Sequence, residues 1–354
     1  MRTSFRWWRA LAGLALFAAA APTAGAQAVI NNGTVRMGIR LYGDLNTGSV
    51  SQITGTSAVG LRLITAAGDY ESTADGCTCE GWGVGVRSGG AVTSWGGSNS
   101  SVGGTTNLTS VSFASTASSA TSTVRLTSGA PLTIVHEYRP SAVSPYLYEV
   151  NVSITNTGAS AISDVVYRRV MDWDIAPTQF DEIVTLQGWN AANLIGSGNN
   201  GFLSAQPLSL TGSLNGCTIA VAGAACNGNF TTTGVEDQGS FFDFSFGALG
   251  AGETRTFQTF YGAAPTRAAL FAALGAAGAE VYTAAWCGGG SPGTTPTSCN
   301  GVDGPAVFGY GFKGVGGTTP PDLGGRVVPE PSTYLMVGLG LAGLTAAARR
   351  RRAA

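Results

Sequence analysis

Apolar and polar residues alternate at every second position through long parts of this 354-residue chain. Thr123 and Arg125, for example, alternate with Val124 and Leu126. A period of two is typical of half-buried β-strands. Such segments recur about every 10–15 residues, with Gly, Pro or Asn between them. This spacing predicts an all-β fold built as a large antiparallel β-sandwich.

One helix interrupts the predicted strands. It is rich in alanine and covers residues 266–279, with Thr266 as its N-cap and Gly278 as its stop. The glycine-rich stretches 76–85 and 89–104 are predicted to be loops or low-complexity segments. Strands are predicted at 29–45, 61–64, 108–114, 121–127, 132–138, 146–155, 165–173, 241–246, 254–261, 281–286 and 307–312. Segment 196–229 is the weakest point; one large sandwich is favoured, with two smaller ones as the alternative.

The N-terminus has the features of an export signal. Arg2, Arg6 and Arg9 precede an apolar run at 10–21, and small residues at 24–28 fit a cleavage site. We expect a signal peptide at 1–28, with the mature chain beginning at Gln27 or Val29. The β-sandwich domain then covers 29–313 and a Gly/Thr/Pro linker covers 314–327.

The C-terminal tail, 328–354, contains three signals in a fixed order. Pro329, Glu330 and Pro331 come first, an apolar run at 334–348 follows, and four arginines stand at 349–352. The run has 15 residues and would be about 22 Å long as a helix. It is therefore shorter than the ~20 residues that cross a bilayer comfortably. The basic residues favour the cytoplasmic side. The tail is therefore predicted to be a hydrophobic sorting helix that anchors the chain transiently in the membrane.

These tail residues resemble the PEP-CTERM sorting domain of Gram-negative bacteria. The resemblance implies an exosortase as partner, an integral-membrane cysteine-protease-like transpeptidase that processes the chain near Pro-Glu-Pro. It implies passage through the inner membrane to the cell envelope, the outer surface or the extracellular matrix, and association with exopolysaccharide or biofilm. An ordinary C-terminal membrane anchor is the alternative. The resemblance says nothing about the residues that precede the tail.

The charge balance disfavours a nucleic-acid partner. Residues 29–328 contain 12 basic and 19 acidic residues, which is a net charge of about −7, and Lys313 is the chain's single lysine. No basic patch is present to contact phosphates. A mildly acidic body favours solubility outside the cell.

Six cysteines in an exported chain favour disulfides. Proximity suggests the pairs Cys217–Cys226 and Cys287–Cys299. Cys77 and Cys79 either pair with each other, link to separate partners, or belong to a metal or redox site.

The densest group of chemically active side chains is acidic: Asp172, Asp174, Asp181 and Glu182. On a strand, Arg168, Asp172 and Asp174 share one face. These groups either form ion pairs, bind Ca²⁺ through carboxylate oxygens, or provide a carboxylate pair for glycoside hydrolysis. No cofactor besides Ca²⁺ is indicated.

No activated nucleophile is evident. His136 is the single histidine, so a His-based triad is disfavoured. Trp82 and Trp95, in glycine-rich segments, are the candidates for stacking on sugar rings. We therefore expect a non-catalytic, exopolysaccharide-associated surface or matrix protein. The alternative is a secreted polysaccharide-active enzyme that uses Asp172, Asp174 or Glu182.

Overall fold

The computed structural model describes residues 27–47, 58–175, 179–211, 227–232, 236–287 and 304–323. Within these residues, three antiparallel sheets account for most of the fold. The signal peptide predicted at 1–28 lies almost entirely outside them, as do Cys217, Cys226, Cys299 and the C-terminal tail.

The strands are numbered in chain order. The first ten are β1 (Gln27–Asn31), β2 (Val35–Arg40), β3 (Leu61–Thr65), β4 (Gly68–Glu71), β5 (Glu80–Ser88), β6 (Ala91–Asn99), β7 (Thr105–Thr106), β8 (Leu108–Ser115), β9 (Ala120–Leu126) and β10 (Leu132–Pro140). The others are β11 (Leu147–Asn156), β12 (Val165–Asp172), β13 (Glu182–Gln187), β14 (Leu194–Gly198), β15 (Phe230–Thr231), β16 (Gly239–Ser245), β17 (Thr254–Ala264), β18 (Val281–Cys287) and β19 (Val307–Lys313). Helix α1 covers Arg267–Ala277, and a 3₁₀ turn covers Pro321–Leu323.

Two large sheets form the β-sandwich that the alternation predicts. One has nine strands in the order β15-β13-β18-β19-β17-β11-β10-β9-β8, and the other has six in the order β14-β16-β12-β5-β6-β7. Aromatic side chains from the two sheets meet between them: the ring centroids of Phe244 and Phe312 are 4.7 Å apart, and those of Tyr167 and Phe257 are 4.9 Å apart. The main hydrophobic core therefore lies between these sheets.

A smaller sheet, β1-β2-β3-β4, leads into a loop at 41–47 that enters the sandwich. The carbonyl oxygen of Tyr42 accepts a hydrogen bond from Trp82 Nε1 at 2.9 Å, and that of Gly43 accepts one from the Tyr138 hydroxyl at 2.7 Å. The backbone N–H of Leu45 donates to Glu80 Oε2 at 2.6 Å. The loop thus gains in the interior the hydrogen bonds that its polar backbone needs.

A buried ion pair holds Glu80 in place. Arg169 Nη2 lies 2.5 Å from Glu80 Oε1, and both side chains are excluded from solvent. Burial raises the pKa of Glu80, and the Arg169 charge opposes that rise. The Tyr261 hydroxyl also donates to Glu80 Oε1 at 3.2 Å. One carboxylate therefore joins the loop at 41–47, strand β12 and strand β17.

Helix α1 packs on the other face of the nine-stranded sheet. Thr266 accepts a hydrogen bond from the backbone N–H of Ala269 as the N-cap, and Gly278 takes the left-handed conformation at the C-terminus. The predicted helix and both of its caps are thus present. Leu270 and Leu274 form a second core with Phe260 and Tyr282 of the sheet.

Two expectations about glycine-rich segments were wrong. Residues 76–85 and 89–104, predicted to be loops, contain strands β5 and β6. Gly83 shows the reason: a Cβ there would lie 1.8 Å from the carbonyl oxygen of Ala205. Glycine lets the segment around Ala205 lie directly on the sheet. A glycine at this position therefore reflects close packing.

The segment predicted to be a linker also differs from expectation in its described part, 314–323. Glu280 accepts hydrogen bonds from the backbone N–H groups of Gly314, Val315 and Gly317. Val315 and Leu323 are buried, and Leu323 belongs to the core beneath α1. Apolar anchors and a carboxylate thus fix a stretch whose composition suggests flexibility.

We predict that replacing Glu80 with Gln lowers the free energy of unfolding by about 3–5 kcal/mol, because it leaves the Arg169 charge buried without a partner. Urea denaturation measures the loss. The control is Glu149→Gln, which breaks the more exposed Arg139–Glu149 pair (3.2 Å) and should lower stability by less than about 1 kcal/mol. Equal losses in the two variants would contradict a structural role for the buried pair.

Candidate functional site

Four carboxylates gather at one end of the six-stranded sheet. Asp172 ends β12, and Asp174 follows two residues later. Glu182 begins β13 of the nine-stranded sheet, and Asp237 directly precedes the buried residues that enter β16. Strands β12 and β16 are paired in register from Val166–Ser245 to Asp172–Gly239, and this pairing carries Asp237 to the end of β12.

Three of these carboxylates form a tight group. One oxygen each of Asp172, Asp174 and Asp237 lies within 4.8 Å of the others. Asp172 is 1% exposed and Asp174 is 0% exposed, whereas Asp237 is half-buried. Asp172 Oδ1, Asp237 Oδ1 and both carboxylate oxygens of Asp174 have no hydrogen-bond partner. Buried polar atoms without partners are rare in folded proteins and call for an explanation.

Glu182 lies beside this group and has a structural contact as well. Its Oε1 accepts hydrogen bonds from the backbone N–H groups of Ile175 at 2.9 Å and Phe180 at 3.2 Å. Its Oε2 is buried without a partner. Glu182 therefore anchors the backbone at Ile175 and at Phe180 through one carboxylate oxygen. Its other carboxylate oxygen makes no hydrogen bond.

The electrostatics of the group are those of crowded, desolvated acids. Burial raises the pKa of Asp174 to about 8, and the nearby Asp237 adds to the rise; the backbone N–H of Cys77 opposes it. Burial and Asp174 raise the pKa of Asp172 and of Glu182 well above their ordinary values. Burial and Asp181 raise the pKa of Asp237 to about 6. Bringing like charges together without water disfavours ionisation of each.

A disulfide and two glycines line the carboxylates. Cys77 and Cys79 are bonded to each other, one of the arrangements that the sequence left open. Cys77 Sγ lies 3.3 Å from Asp172 Oδ2, and the Cys79 carbonyl oxygen accepts the Asp172 backbone N–H. A Cβ on Gly76 or Gly201 would lie 1.8 Å from Asp174 Oδ1 or 2.6 Å from Asp172 Oδ1, respectively. Cys287 is also in a disulfide, whose partner lies outside the described residues.

The acidic group differs in membership from the one that the sequence suggests. Asp172 and Asp174 are in it, and Glu182 is adjacent. Asp181 is half-buried and is not among the three clustered carboxylates, although it influences Asp237. Asp237 was missed. The available signal was a pair of acids, Glu236 and Asp237, just before the aromatic strand at 241–246.

Ion pairing of Arg168 with these carboxylates, one of the three possibilities that the sequence left open, does not occur. Arg168 instead makes two hydrogen bonds to Asp243 on β16, with Nε–Oδ1 at 2.8 Å and Nη2–Oδ2 at 2.6 Å. The two residues are directly opposite each other on neighbouring strands. Asp172 and Asp174 are thereby left without this arginine.

Trp82 cannot stack on a sugar. It lies in β5 with 0% exposure, and its ring centroid is 4.4 Å from that of His136 in the main core. Glycine neighbours gave the impression of an exposed loop. Trp95, on β6, is half-buried and remains a candidate. His136 is buried, and its Nε2 lies 3.2 Å from the Tyr167 hydroxyl, which is a structural contact.

A second feature with binding potential is the outer surface of β9, β10, β11 and β17. Its side chains are exposed or half-buried, and most carry hydroxyl, amide or charged groups. Cross-strand register aligns them in three rows: Arg125, Thr133, Thr155 and Thr254; Thr123, Val135, Ser153 and Thr256; and Thr121, Glu137, Asn151 and Gln258. We call these residues the polar face.

The polar face is wide, and an open depression lies on it. The depression has a volume of about 390 Å³ and is lined by Glu137, Asn151, Ser153, Thr256, Phe257 and Gln258. Asn151 accepts a hydrogen bond from Gln258 at 3.0 Å, which leaves its amide nitrogen available. Rows of donors and acceptors on a regular strand spacing suit an extended, hydroxyl-rich ligand.

Comparison with known families gives a match at the C-terminal end of the chain. Residues 327–352 match the family model described as the PEP-CTERM protein-sorting motif, which confirms the resemblance based on Pro329, Glu330 and Pro331. The motif indicates an exported protein that is processed by an exosortase and directed to the cell envelope or surface. Comparison with curated proteins found no match. Among the described residues, no helix has the length and apolar character to cross a membrane; the apolar run at 334–348 lies outside them.

We predict that the stability of the metal-free protein falls as the pH rises between about 4 and about 8. Asp174 has a pKa of about 8 when folded and 3.8 as a free side chain, so the folded state retains a proton that the unfolded state releases. Proton release from the unfolded state favours unfolding progressively across this interval. Urea denaturation in EDTA at pH 5 and pH 8 measures the fall.

Asp174→Asn should reduce this pH dependence because it removes the titrating group. Glu137→Gln, on the exposed side of β10, should leave the dependence unchanged. A wild-type protein equally stable at both pH values would contradict the raised pKa.

Proposed function

We propose that the chain is a non-catalytic protein of the cell surface or biofilm matrix that binds exopolysaccharide through the polar face. The observation that carries the proposal is the alignment of side-chain donors and acceptors on β9, β10, β11 and β17. The sorting motif supports it by directing the protein to the compartment where such polymers are found.

Polysaccharides present hydroxyl groups along their whole length, and each hydroxyl both donates and accepts hydrogen bonds. Threonine and serine hydroxyls and the Asn151 and Gln258 amides do the same. Binding of this kind depends on many weak contacts over a broad surface. The polar face extends over four strands, which provides the necessary area. Trp95 is a further, separate candidate for sugar stacking.

The alternative of a polysaccharide-degrading enzyme loses support. Asp172 and Asp174 are excluded from solvent, so a polymer cannot place a glycosidic bond between them. Glu182 is equally buried and has backbone partners.

We predict that Thr123→Arg/Ser153→Arg weakens retention of the protein on exopolysaccharide from its native host by at least about tenfold. Two bulky side chains in the middle row would hold a polymer away from the strands. The control is Ser88→Arg/Thr93→Arg, at exposed positions of β5 and β6 in the other sheet. Affinity electrophoresis in gels containing the polymer measures retention. Equal retardation of all three proteins would remove the polar face from the proposal.

We also predict the ends of the mature protein. Gln27 pairs with Arg40 as the first residue of β1, so cleavage of the signal peptide before Gln27 preserves the whole strand. Exosortase processing should place the C-terminus between Val328 and Pro331. Intact-mass analysis of envelope and matrix fractions tests both ends, with an exosortase-deletion strain as the control. Retention of the four C-terminal arginines in the wild-type host would indicate a stable membrane anchor.

A further inference from the structure

We propose that Asp172, Asp174 and Asp237 bind one Ca²⁺ ion, which stabilises the fold once the protein has left the cytoplasm. This inference does not depend on exopolysaccharide binding. The three carboxylates lie at the end of the six-stranded sheet, whereas the polar face lies on the outer surface of the nine-stranded sheet.

The spacing of the oxygens fits one ion of this size. Ca²⁺ binds oxygen at about 2.3–2.6 Å, so two ligand oxygens on opposite sides of one ion are about 4.6–5.2 Å apart. The three clustered oxygens lie within 4.8 Å of each other. A single Ca²⁺ among them therefore satisfies all three without a large movement of the backbone.

The second observation is the unpaired, buried state of Asp174. The side chain is 0% exposed, and neither carboxylate oxygen has a hydrogen-bond partner. Asp172 Oδ1 and Asp237 Oδ1 are unpaired as well. None of the ion pairs among the described residues involves these three carboxylates. Buried charges are normally paired or bound to a metal.

The donor set selects a hard cation. Carboxylate oxygens prefer Ca²⁺ or Mg²⁺, while zinc and copper sites draw on imidazole and thiolate. The nearby Cys77 and Cys79 are bonded to each other and so offer no thiolate. Mg²⁺ requires near-ideal octahedral geometry and keeps several waters. A group with two fully buried carboxylates suits Ca²⁺, which tolerates irregular coordination, better.

The chain packs closely on the carboxylates and leaves a route to them on one side. Gly76 and Gly201 lie against Asp174 and Asp172, and a methyl group on either would collide with a carboxylate oxygen, so only glycine allows the backbone to approach this closely. Asp237 is half-buried, so the group is open to solvent on that side. Water entering there completes the coordination of a bound ion.

The ion would join segments that are distant in sequence. Asp172 and Asp174 follow β12, and Asp237 precedes β16, its neighbour in the sheet. Glu182 adds negative charge beside the site and holds the connection between β12 and β13 through Ile175 and Phe180. Calcium would thus stabilise the end of the sheet where four acidic side chains are crowded together with little access to water.

The experiment uses the protein purified after export, freed of metal with EDTA and then desalted. Calcium chloride is titrated by isothermal calorimetry, with magnesium chloride in a parallel run. We expect one Ca²⁺ per chain, a Kd below about 1 mM, and much weaker binding of Mg²⁺. At calcium 100 times Kd, the melting temperature should rise by roughly 5 °C or more.

Two ligand variants and one control make the test specific. Asp237→Asn, at the half-buried position, and Asp174→Asn should each weaken Ca²⁺ binding by about tenfold or more. Asp69→Asn removes the same charge from an exposed position of β4, outside both proposed sites, and should bind Ca²⁺ like the wild type. Near-UV circular dichroism verifies that each variant is folded; if Asp174→Asn does not fold, Asp237→Asn decides.

No binding heat and no rise in melting temperature at 5 mM Ca²⁺, roughly five times the weakest expected Kd, would overturn the proposal. The carboxylates would then be neutral acids that share protons. Equal binding of Mg²⁺ would overturn the assignment to calcium, and undiminished binding by both ligand variants would place the ion elsewhere. Retention on exopolysaccharide, measured separately, remains the test of the polar face.

Discussion

Strand β12 sets the main constraint on this protein, because it is buried along its whole length and yet carries charged side chains. Arg168, Arg169 and Asp172 are each no more than 1% exposed. A buried ion without a partner destabilises a fold by several kcal/mol, on the order of 3–5 when one member of a buried pair is lost. The strands on either side of β12 must therefore supply compensation, and the architecture follows from how they do so.

Each arginine is compensated by a different neighbouring strand. Arg168 pairs with Asp243, which lies directly opposite it on the neighbouring strand β16. Arg169 points to the opposite side and pairs with Glu80 on β5, whose carboxylate also holds the loop at 41–47 inside the sandwich. Asp172 receives no cation from the described residues. Since each buried arginine has a partner of opposite charge, we expect Asp172 to be compensated as well, by a bound cation at the end of the strand.

The sequence predicted strands of two kinds correctly: those with one face toward solvent, and β12, β16, β18 and β19, which are buried along nearly their whole length. In β9, β10 and β11 most inward residues are apolar and most outward ones are polar, so the period of two is visible. Most of β5 and the second half of β6 are covered on both faces, and these strands were missed because glycines permit that cover. At Gly83 the chain around Ala205 occupies the space of a side chain. Composition alone does not distinguish such a glycine from one in a loop.

The candidate site was half predictable for a related reason. Asp172 and Asp174 stand close together in the sequence, so their clustering followed from local spacing. Asp237 joins them only through the pairing of β12 with β16, which no local pattern reveals. Trp82 was misplaced in the same way, because its burial depends on His136 and on the loop at 41–47.

Calcium binding and exopolysaccharide binding are both proposed for the environment that the protein meets after export, but neither depends on the other. Calcium is plentiful outside the cytoplasm, where extracellular modules bind it with Kd values of about 10⁻⁴–10⁻³ M. The Cys77–Cys79 disulfide beside the acidic group is likewise stable in an oxidising compartment. The polar face belongs to β9, β10, β11 and β17, none of which carries a member of the carboxylate group. Loss of the ion would therefore lower stability first, and would affect polymer binding only as far as the sandwich itself unfolds.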